Sequence, residues 1–398
     1  MAYPELYLKK NEDLRIRKGH CWVFSNEIDT RKSPIAELAP GELVQLLSAD
    51  GKSLGTAYAH PHALIAARLL SRKPALKCGL NFFKERIHTA AILRDTLFDK
   101  QYYRLVYGES DGLPGLVIDR FGSVFSVQIT TAGMEVRKEL ILNALIELFS
   151  PTAVMFKNDN GQRELEQLSL VSELAYGVIP NPLLIEENNA MFEIDIAGGQ
   201  KTGWFYDHRS SRQLAASFSK DLKVLDLFCY TGAWSIPAAK AGAAHVIAVD
   251  ASADALALAS ANAERNNVAH NTQFIRSDVF DYLKQARLDN ELFDVIIVDP
   301  PALIKRKKDF KAGYEAYRRL NQQALQVLSK NGVLISASCS FHLSRDNLHE
   351  ILRASSRHID RHLAFFASTG QGMDHPIDPA VPETEYLKTF FCRVTSSF

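Results

Sequence analysis

Residues Lys223 to Asp250 read KVLDLFCYTGAWSIPAAKAGAAHVIAVD, and the periodicity of this stretch decides the fold. Val224 to Phe228 is an apolar strand that runs into a turn at Tyr230-Thr231-Gly232. Trp234 to Lys240 follows as a helical run, punctuated by Gly242, and Val246 to Val249 is a second strand ending on Asp250. Strand, tight turn, helix and strand make the βαβ unit of a doubly wound sheet. Ligands of such sheets bind outside the carboxyl ends of the strands. Asp226 is near one such end and Asp250 is at the other.

The glycines narrow the ligand. A dinucleotide fold needs three, in G-x-G-x-x-G, so that backbone can approach a pyrophosphate, and a phosphate loop needs a Lys-Ser/Thr pair after its glycines. This turn has one glycine, Gly232, and no such pair. A ligand with a ribose and a positive centre but no phosphate suits it, with Asp250 accepting from the ribose hydroxyls. The string D-x-F-x-x-x-G, Asp226 to Gly232, resembles the S-adenosylmethionine (SAM) site of class I methyltransferases. The alternative is a buried βαβ unit with an ordinary turn.

The totals bound the rest. At 398 residues the chain is expected to hold two or three domains, and 46% hydrophobic residues suffice for their cores. Lys plus Arg equals Asp plus Glu at 46 each, so a nucleic-acid partner would need a local basic surface. The five cysteines are odd in number and widely spaced, with no C-x-x-C pair, which argues against a zinc site or a disulfide framework. The first residues, MAYPELYLKKNEDLR, lack a secretory apolar core, and no run is long and apolar enough to span a bilayer. The expectation is a soluble cytoplasmic protein without a metal.

Residues 1–72 read as a small β-rich module, with alternating runs at Leu43–Leu47 and Leu64–Leu70 and turns at Asp50-Gly51 and Gly55. Arg15, Arg17, Lys18 and His20 flank Gly19, ahead of Trp22-Val23-Phe24-Ser25-Asn26-Glu27. The run R-x-R-K-G-H-x-W-V-F-S-N-E resembles the start of a PUA domain, a small RNA-binding β-barrel. Trp22 and Phe24 are expected in its core and some of the bases on RNA. Residues 73–190 read as a middle α+β domain. It has a helix over Cys78–Asp99, strands at Tyr102–Tyr107, Leu116–Arg120 and Val124–Ile129, a second helix over Val136–Phe149 and a strand at Ala153–Phe156. Residues 191–398 are expected to be the α/β, Rossmann-like methyltransferase domain.

Just before the SAM strand, Phe192 to Arg212 (FEIDIAGGQKTGWFYDHRSSR) packs glycines, aromatics and charges densely. It reads as a flap over the cofactor or as a cap on the sheet edge. After Asp250, Ser252 caps a helix from Ala253 to Asn266, and Phe274-Ile275 leads to Asp278. In class I methyltransferases an acid here binds the adenine amino group; the alternative is an N-cap for the helix Val279–Ala286. Phe293 to Pro301 (FDVIIVDPP) is a central parallel strand with Asp299 at its carboxyl end. Ala302 follows the prolines where amino-group methylases typically carry an aromatic, which argues against that chemistry. Lys305, Arg306, Lys307, Lys308, Lys311, Arg318 and Arg319, with Tyr314 and Tyr317 among them, suit phosphate contact and base stacking, or form a solvated face. The helix is expected to run on through Leu328, with a turn at Gly332. Val333 to Ser340 (VLISASCS) is the next strand and carries Cys339 at its carboxyl end. A helix Ser344–Ser356 and a closing hairpin, Ala364–Phe366 with Tyr386–Val394, complete the sheet; Asp374-His375-Pro376 lies in the loop between.

S-C-S at Cys339 resembles the nucleophile motif of cytosine-5 and uracil-5 RNA methyltransferases. GESDGLPGLVIDRFG (108–122) and G-Q-K-T-G-x-F-x-D-x-R, beginning at Gly199, resemble segments of one family, the large-subunit ribosomal RNA cytosine-5 methyltransferases. The resemblance spans nearly the whole chain; Ala302, where many members carry Lys, departs from it. It implies SAM as cofactor and large-subunit rRNA as partner, with the target base unpaired or flipped out, and admits a homodimer. The residues implied for the cofactor are Asp226, Gly232, Asp250, Asp278, Gln200, Thr202, Phe205 and Arg209. Cys339 and Asp299 are implied for catalysis, with Cys229 assigned to packing. Other readings are a uracil-5 or other RNA methyltransferase, a small-molecule methyltransferase, and an rRNA-binding assembly factor that keeps the fold without turnover.

Overall fold

The computed structural model describes residues 3–199 and 202–397. The chain divides into two compact units, one of residues 1–183, 195–206 and 373–384 and the other of 184–194, 207–372 and 385–398.

The first unit holds two sheets. Strands β1 (Glu5–Tyr7), β2 (Trp22–Phe24), β3 (Leu43–Leu47), β4 (Ser53–Ala59) and β5 (Ile65–Ser71) form a sheet in the order β1-β3-β4-β5-β2. In β2 the pleat sends only Val23 fully inward; Trp22 and Phe24 point the other way and are half-buried, not core as expected. Trp22 Nε1 donates to Glu109 Oε1 (2.9 Å), and the Arg15 guanidinium lies 4.7 Å above the Phe24 ring while pairing with Glu27. The second sheet contains β6 (Tyr102–Tyr107), β7 (Leu116–Phe121), β8 (Val124–Ile129), β9 (Ala153–Asn158) and β10 (Val171–Gly177), in the order β10-β9-β8-β7-β6. The helices Leu80–Leu97 and Lys138–Phe149 contribute Phe83, Ile87, Ile141 and Leu145 to its core. The segment Met373–Thr384, from near the end of the chain, is tied into this unit. Arg94, fully buried, holds Asp111 through two bonds of 2.7 Å and donates to the Asp374 carbonyl, and Asp374 Oδ2 accepts from Arg104 N (2.9 Å).

In the second unit, β11 (Leu183–Glu187) pairs with β12 (Ala190–Ile194). The seven-stranded sheet comprises β13 (Lys223–Leu227), β14 (His245–Asp250), β15 (Thr272–Arg276), β16 (Phe293–Val298), β17 (Leu328–Ser338), β18 (Arg361–Thr369) and β19 (Lys388–Ser396), ordered β15-β14-β13-β16-β17-β19-β18. The first five strands are parallel and β19 is antiparallel to both neighbours, so the α/β sheet and its closing hairpin are as expected. Buried on both faces, β13 and β16 are apolar almost throughout. The helix before β17 stops at Gln326, and Leu328 already pairs with Phe293 in the sheet through an irregular register. Ladder pairing thus overrides the helical pattern that extended through Leu328. Asn262, on the helix Ala253–Arg265, and Asn266, its C-cap four residues on, stand in for a strand: their side chains exchange bonds with the Glu193 and Met191 backbone.

No helix among the described residues is long and apolar enough to cross a membrane.

Candidate active site

Four strand ends of the second unit lie along one edge. Leu227 is opposite both Val249 and Val298, and Val298 is opposite Ser336. This register aligns the turn after β13, Asp250 at the end of β14, Asp299 just past β16 and Cys339 just past β17. Asp278 lies two residues beyond Arg276, which is opposite Asp250.

The turn after β13 is held in left-handed backbone at two non-glycine residues, Phe228 (φ +65°) and Tyr230 (φ +49°), and at Gly232 (φ +83°). Such conformations persist only where the surroundings over-determine them, as at many ligand sites. Here Phe228 N and Cys229 N both donate to Val249 O, Tyr230 N donates to Asp250 Oδ2 (3.0 Å), and Asn262 Nδ2 reaches Thr231 O (3.3 Å). A Cβ on Gly232 would meet Ile236 Cδ1 at 3.0 Å, besides having to adopt the same left-handed backbone. Asp250 Oδ1 also accepts Ser252 N (2.9 Å), so both carboxylate oxygens are oriented while keeping lone pairs for a ligand.

Asp226 is fully buried. Its Oδ2 accepts Ser235 Oγ (2.5 Å), while Oδ1 is buried without a hydrogen-bond partner. Burial pushes its pKa up to about 7; the Ser235 bond opposes the shift, and the Asp299 and Asp250 carboxylates add to it. Asp278 is exposed and caps the helix Val279–Leu288, with Oδ1 accepting both Phe280 N (2.8 Å) and Asp281 N (3.3 Å). The N-cap reading of Asp278 is therefore realised, and both bonds fall on one of its two oxygens.

Asp299 is gripped from two sides. Trp234 Nε1 donates to Oδ2 (3.0 Å), and His208 Nε2 lies 3.2 Å from Oδ1. Burial alone would lower the His208 pKa, but the Asp299 carboxylate, helped by Asp207, outweighs it and raises the value. Sequence reasoning passed over His208, although it sits in the F-Y-D-H-R string between residues that were singled out.

Cys339 is half-buried, and both neighbouring serines are clamped. Ser338 Oγ donates to Tyr317 OH (2.9 Å) and accepts Ser340 N (3.2 Å). Ser340 Oγ shares a 3.0 Å bond with the same phenol and accepts Ile304 N (3.2 Å). The S-C-S turn is thus tied both to the helix Phe310–Gln326 and to the chain just after Asp299-Pro300-Pro301. Cys229, by contrast, is buried against Ala248 and Leu256, and burial holds its thiol well above the usual range, with Asp226 and Asp250 adding. That is a packing position.

The stretch before β13 divides between the units. Arg209, in the second, pairs with Glu187 (3.3 Å), which also holds Arg212 (2.5 Å), so this guanidinium is committed to a buried carboxylate. Thr202 and Phe205 belong to the first unit. Thr202 Oγ1 is 3.4 Å from Trp204 O, and Phe205 is half-buried. Their neighbour Tyr206 stacks on Phe121 and donates to Arg120 O (3.0 Å). Gln200 lies outside the described residues. Among those residues no cluster of His, Cys, Asp or Glu is placed to hold a metal ion.

Two family models match the chain, one described as a PUA-like domain over residues 6–72 and one as a methyltransferase domain over 218–379. The chain is 35% identical over 394 residues to "Ribosomal RNA large subunit methyltransferase I" of Cronobacter sakazakii, covering 98% of this chain and 99% of the relative. It is 36% identical over 394 residues to the protein of the same name in Aliivibrio fischeri, with the same coverage. Among solved structures, SMU.776 in complex with SAH superposes with a TM-score of 0.84 at 24% identity, covering 99% of this chain and 100% of that one. The N-terminal sheet is PUA-like, and the second unit carries the class I methyltransferase fold. The residues present fit SAM. A buried, unpartnered Asp226 oxygen and two neighbouring carboxylates suit a cationic ligand, and the oriented Asp250 suits ribose hydroxyls.

Proposed function

The chain belongs to the ribosomal RNA large subunit methyltransferase I family, and from that premise we propose that it methylates carbon 5 of a cytosine in large-subunit rRNA, with Cys339 as covalent nucleophile. The observation that carries this reading is the clamped S-C-S turn. Tyr317 and Ile304 fasten the two serines, and the cysteine between them sits on the same sheet edge as Asp226, Asp250 and Asp299.

Carbon 5 of a pyrimidine is too weakly nucleophilic to be methylated unaided. Addition of the Cys339 thiolate to carbon 6 breaks the C5=C6 double bond and makes carbon 5 an enamine-type nucleophile. When bound, SAM supplies an electrophilic methyl group. After carbon 5 has acquired its methyl, loss of the carbon-5 proton to a base re-forms the double bond and expels the thiolate. Asp299, fixed by His208 and Trp234, keeps lone pairs that accept from the cytosine edge. Asp226, Gly232, Asp250 and Asp278 are the residues assigned to hold the cofactor. Gln200, Thr202, Phe205 and Arg209 keep that assignment through the family signature alone. The ring face that the thiolate attacks is stacked in a helix, so the target is unpaired or flipped out.

Residues 1–72 form the RNA-binding module of this reading, 73–190 the middle domain and 191–398 the methyltransferase domain of a cytoplasmic enzyme, with a homodimer as the proposed assembly. Lys305, Lys307, Lys308 and Lys311 are exposed and lack ion-pair partners among the described residues, which suits phosphate contact. Arg306 and Arg318 are spent on Asp309 and Glu315.

The test uses RNA carrying 5-fluorocytosine. Fluorine cannot leave carbon 5 as the proton does, so the enzyme should stall as a protein–RNA adduct that survives denaturation and is absent from Cys339→Ala. SAM-dependent methylation of rRNA by Cys339→Ala at the normal rate would refute the thiol mechanism. RNA binding without any methyl incorporation would favour an assembly factor.

A further inference from the structure

One buried charge has no part in the mechanism above. Lys388 opens β19 opposite Ser338 and is 7% exposed. Its Nζ donates to Ser340 O (2.6 Å) and Tyr386 O (3.0 Å), which are neutral carbonyls. Among the described residues no carboxylate lies within ion-pair distance of it. An ammonium taken out of water without a counter-charge is costly, and such groups either find an anion or lose their proton. Burial lowers the Lys388 pKa to about 8. The charged or titratable groups that act on it are Cys339, Arg345 and Glu385: Cys339 supports the charged form most, Arg345 opposes it, and Glu385 contributes least. Arg345 lies 5.0 Å from the Phe390 ring centre. The Ser340 carbonyl that Lys388 holds is one residue from Cys339.

We propose that Lys388 is a positioning residue for the nucleophile: its ammonium supplies the counter-charge that favours the Cys339 thiolate over the thiol, and its bond to the Ser340 carbonyl fixes the turn that aims the sulfur. This rests on the reading of Cys339 as nucleophile. The arrangement joins two problems, a buried cation lacking an anion and a thiol that must ionise to react, and each answers the other. Tyr317 and the two serines fix the turn through neutral hydrogen bonds, so Lys388 is the basic group assigned to the sulfur.

The experiment is the pH profile of Cys339 alkylation by iodoacetamide in the full-length chain, read by mass spectrometry of the Cys339 peptide. The variants are Lys388→Met and Lys388→Arg, with Lys388→Gln, which keeps a donor for Ser340 O, should the Met variant not fold. The alkylation midpoint is expected to rise by about one pH unit or more without the ammonium, a roughly tenfold loss of thiolate below the midpoint. The Arg variant should recover part of it. Methyl transfer by the Met or Gln variant should lose kcat about tenfold at pH 7 with KM for RNA unchanged, and regain it at higher pH as the thiol ionises unaided. A midpoint identical in wild type and in the folded Met or Gln variant overturns the proposal. Undiminished methylation by Cys339→Ala overturns the nucleophile reading instead, and the alkylation profile distinguishes the two failures because it needs neither RNA nor SAM.

Discussion

Replacing Asp226 by Asn should shift stability relative to the wild type in the variant's favour as pH rises from about 4 to about 8, on top of a constant offset. The carboxyl is fully buried and its pKa is pushed up to about 7, from 3.8 in an exposed chain. Between those values the folded state holds a proton that the unfolded state has released, so stability is fully present below the unfolded pKa and is lost as pH rises through the folded one. At 1.36 kcal/mol per unit the full loss is on the order of 4 kcal/mol, of which about 3 kcal/mol falls between pH 5 and pH 8.5. Asn is neutral throughout and keeps an oxygen for Ser235; placing its amide where Oδ1 lacks a partner costs about 1–3 kcal/mol at every pH. Urea titrations of both proteins at pH 5 and pH 8.5, followed by circular dichroism and tryptophan fluorescence, measure the difference. The gap between variant and wild type should widen by about 3 kcal/mol in favour of the variant over that range. Parallel behaviour at the two pH values would refute the burial argument, whatever the constant offset. Added SAM should raise the stability of the wild type by mass action and that of the variant less, the signature of a site that sacrifices stability for a ligand.

Other outcomes follow from the same geometry. Asp299→Asn removes the counter-charge that raises the His208 pKa, so a histidine titration by NMR should find that resonance shifted to lower pH. Stability from the pair is present below pH 6.5 and lost as pH rises through the raised value, and the variant should lack this dependence. Tyr317→Phe removes the phenol shared by Ser338 and Ser340 and should cost about 1–3 kcal/mol in urea unfolding while slowing methyl transfer. Cys339→Ala should abolish methyl incorporation with a stability change of less than about 1 kcal/mol, because the side chain is only half-buried. Reversing Lys305, Lys307 and Lys308 to Glu should flatten the salt dependence of RNA binding, by about one in slope for each phosphate that the protein no longer neutralises.

The central sheet was legible because three of its parallel strands, β14, β16 and β17, carry apolar runs that lead to polar residues on the ligand side, Asp250, Asp299 and Cys339. The strained turn after β13 was legible from Gly232, but its support was not: Asn262 reads as an ordinary helical polar residue, and only the fold brings it under Thr231. His208 and Lys388 were missed for the same reason. A lone basic residue beside aromatics has no periodicity, and its meaning comes from partners far along the chain. The half-buried Trp22 and Phe24 show a different limit. Aromatic character predicts burial, but the pleat gives the fully enclosed place in β2 to Val23. Asp278 carried two readings in the sequence, and a single carboxylate has oxygens enough for the cap and for a ligand.

The threading of Met373–Thr384 into the first unit bears on how the protein is made. Arg94 and the Arg104 amide wait for Asp374, which is made 280 and 270 residues after them. A nascent chain halted before that point holds a buried arginine and a strand amide with incomplete bonding, however well its two sheets have formed. Residues 1–183 should therefore remain protease-sensitive until Asp374 has been made, and a fragment cut near residue 190 should be poorly soluble by itself.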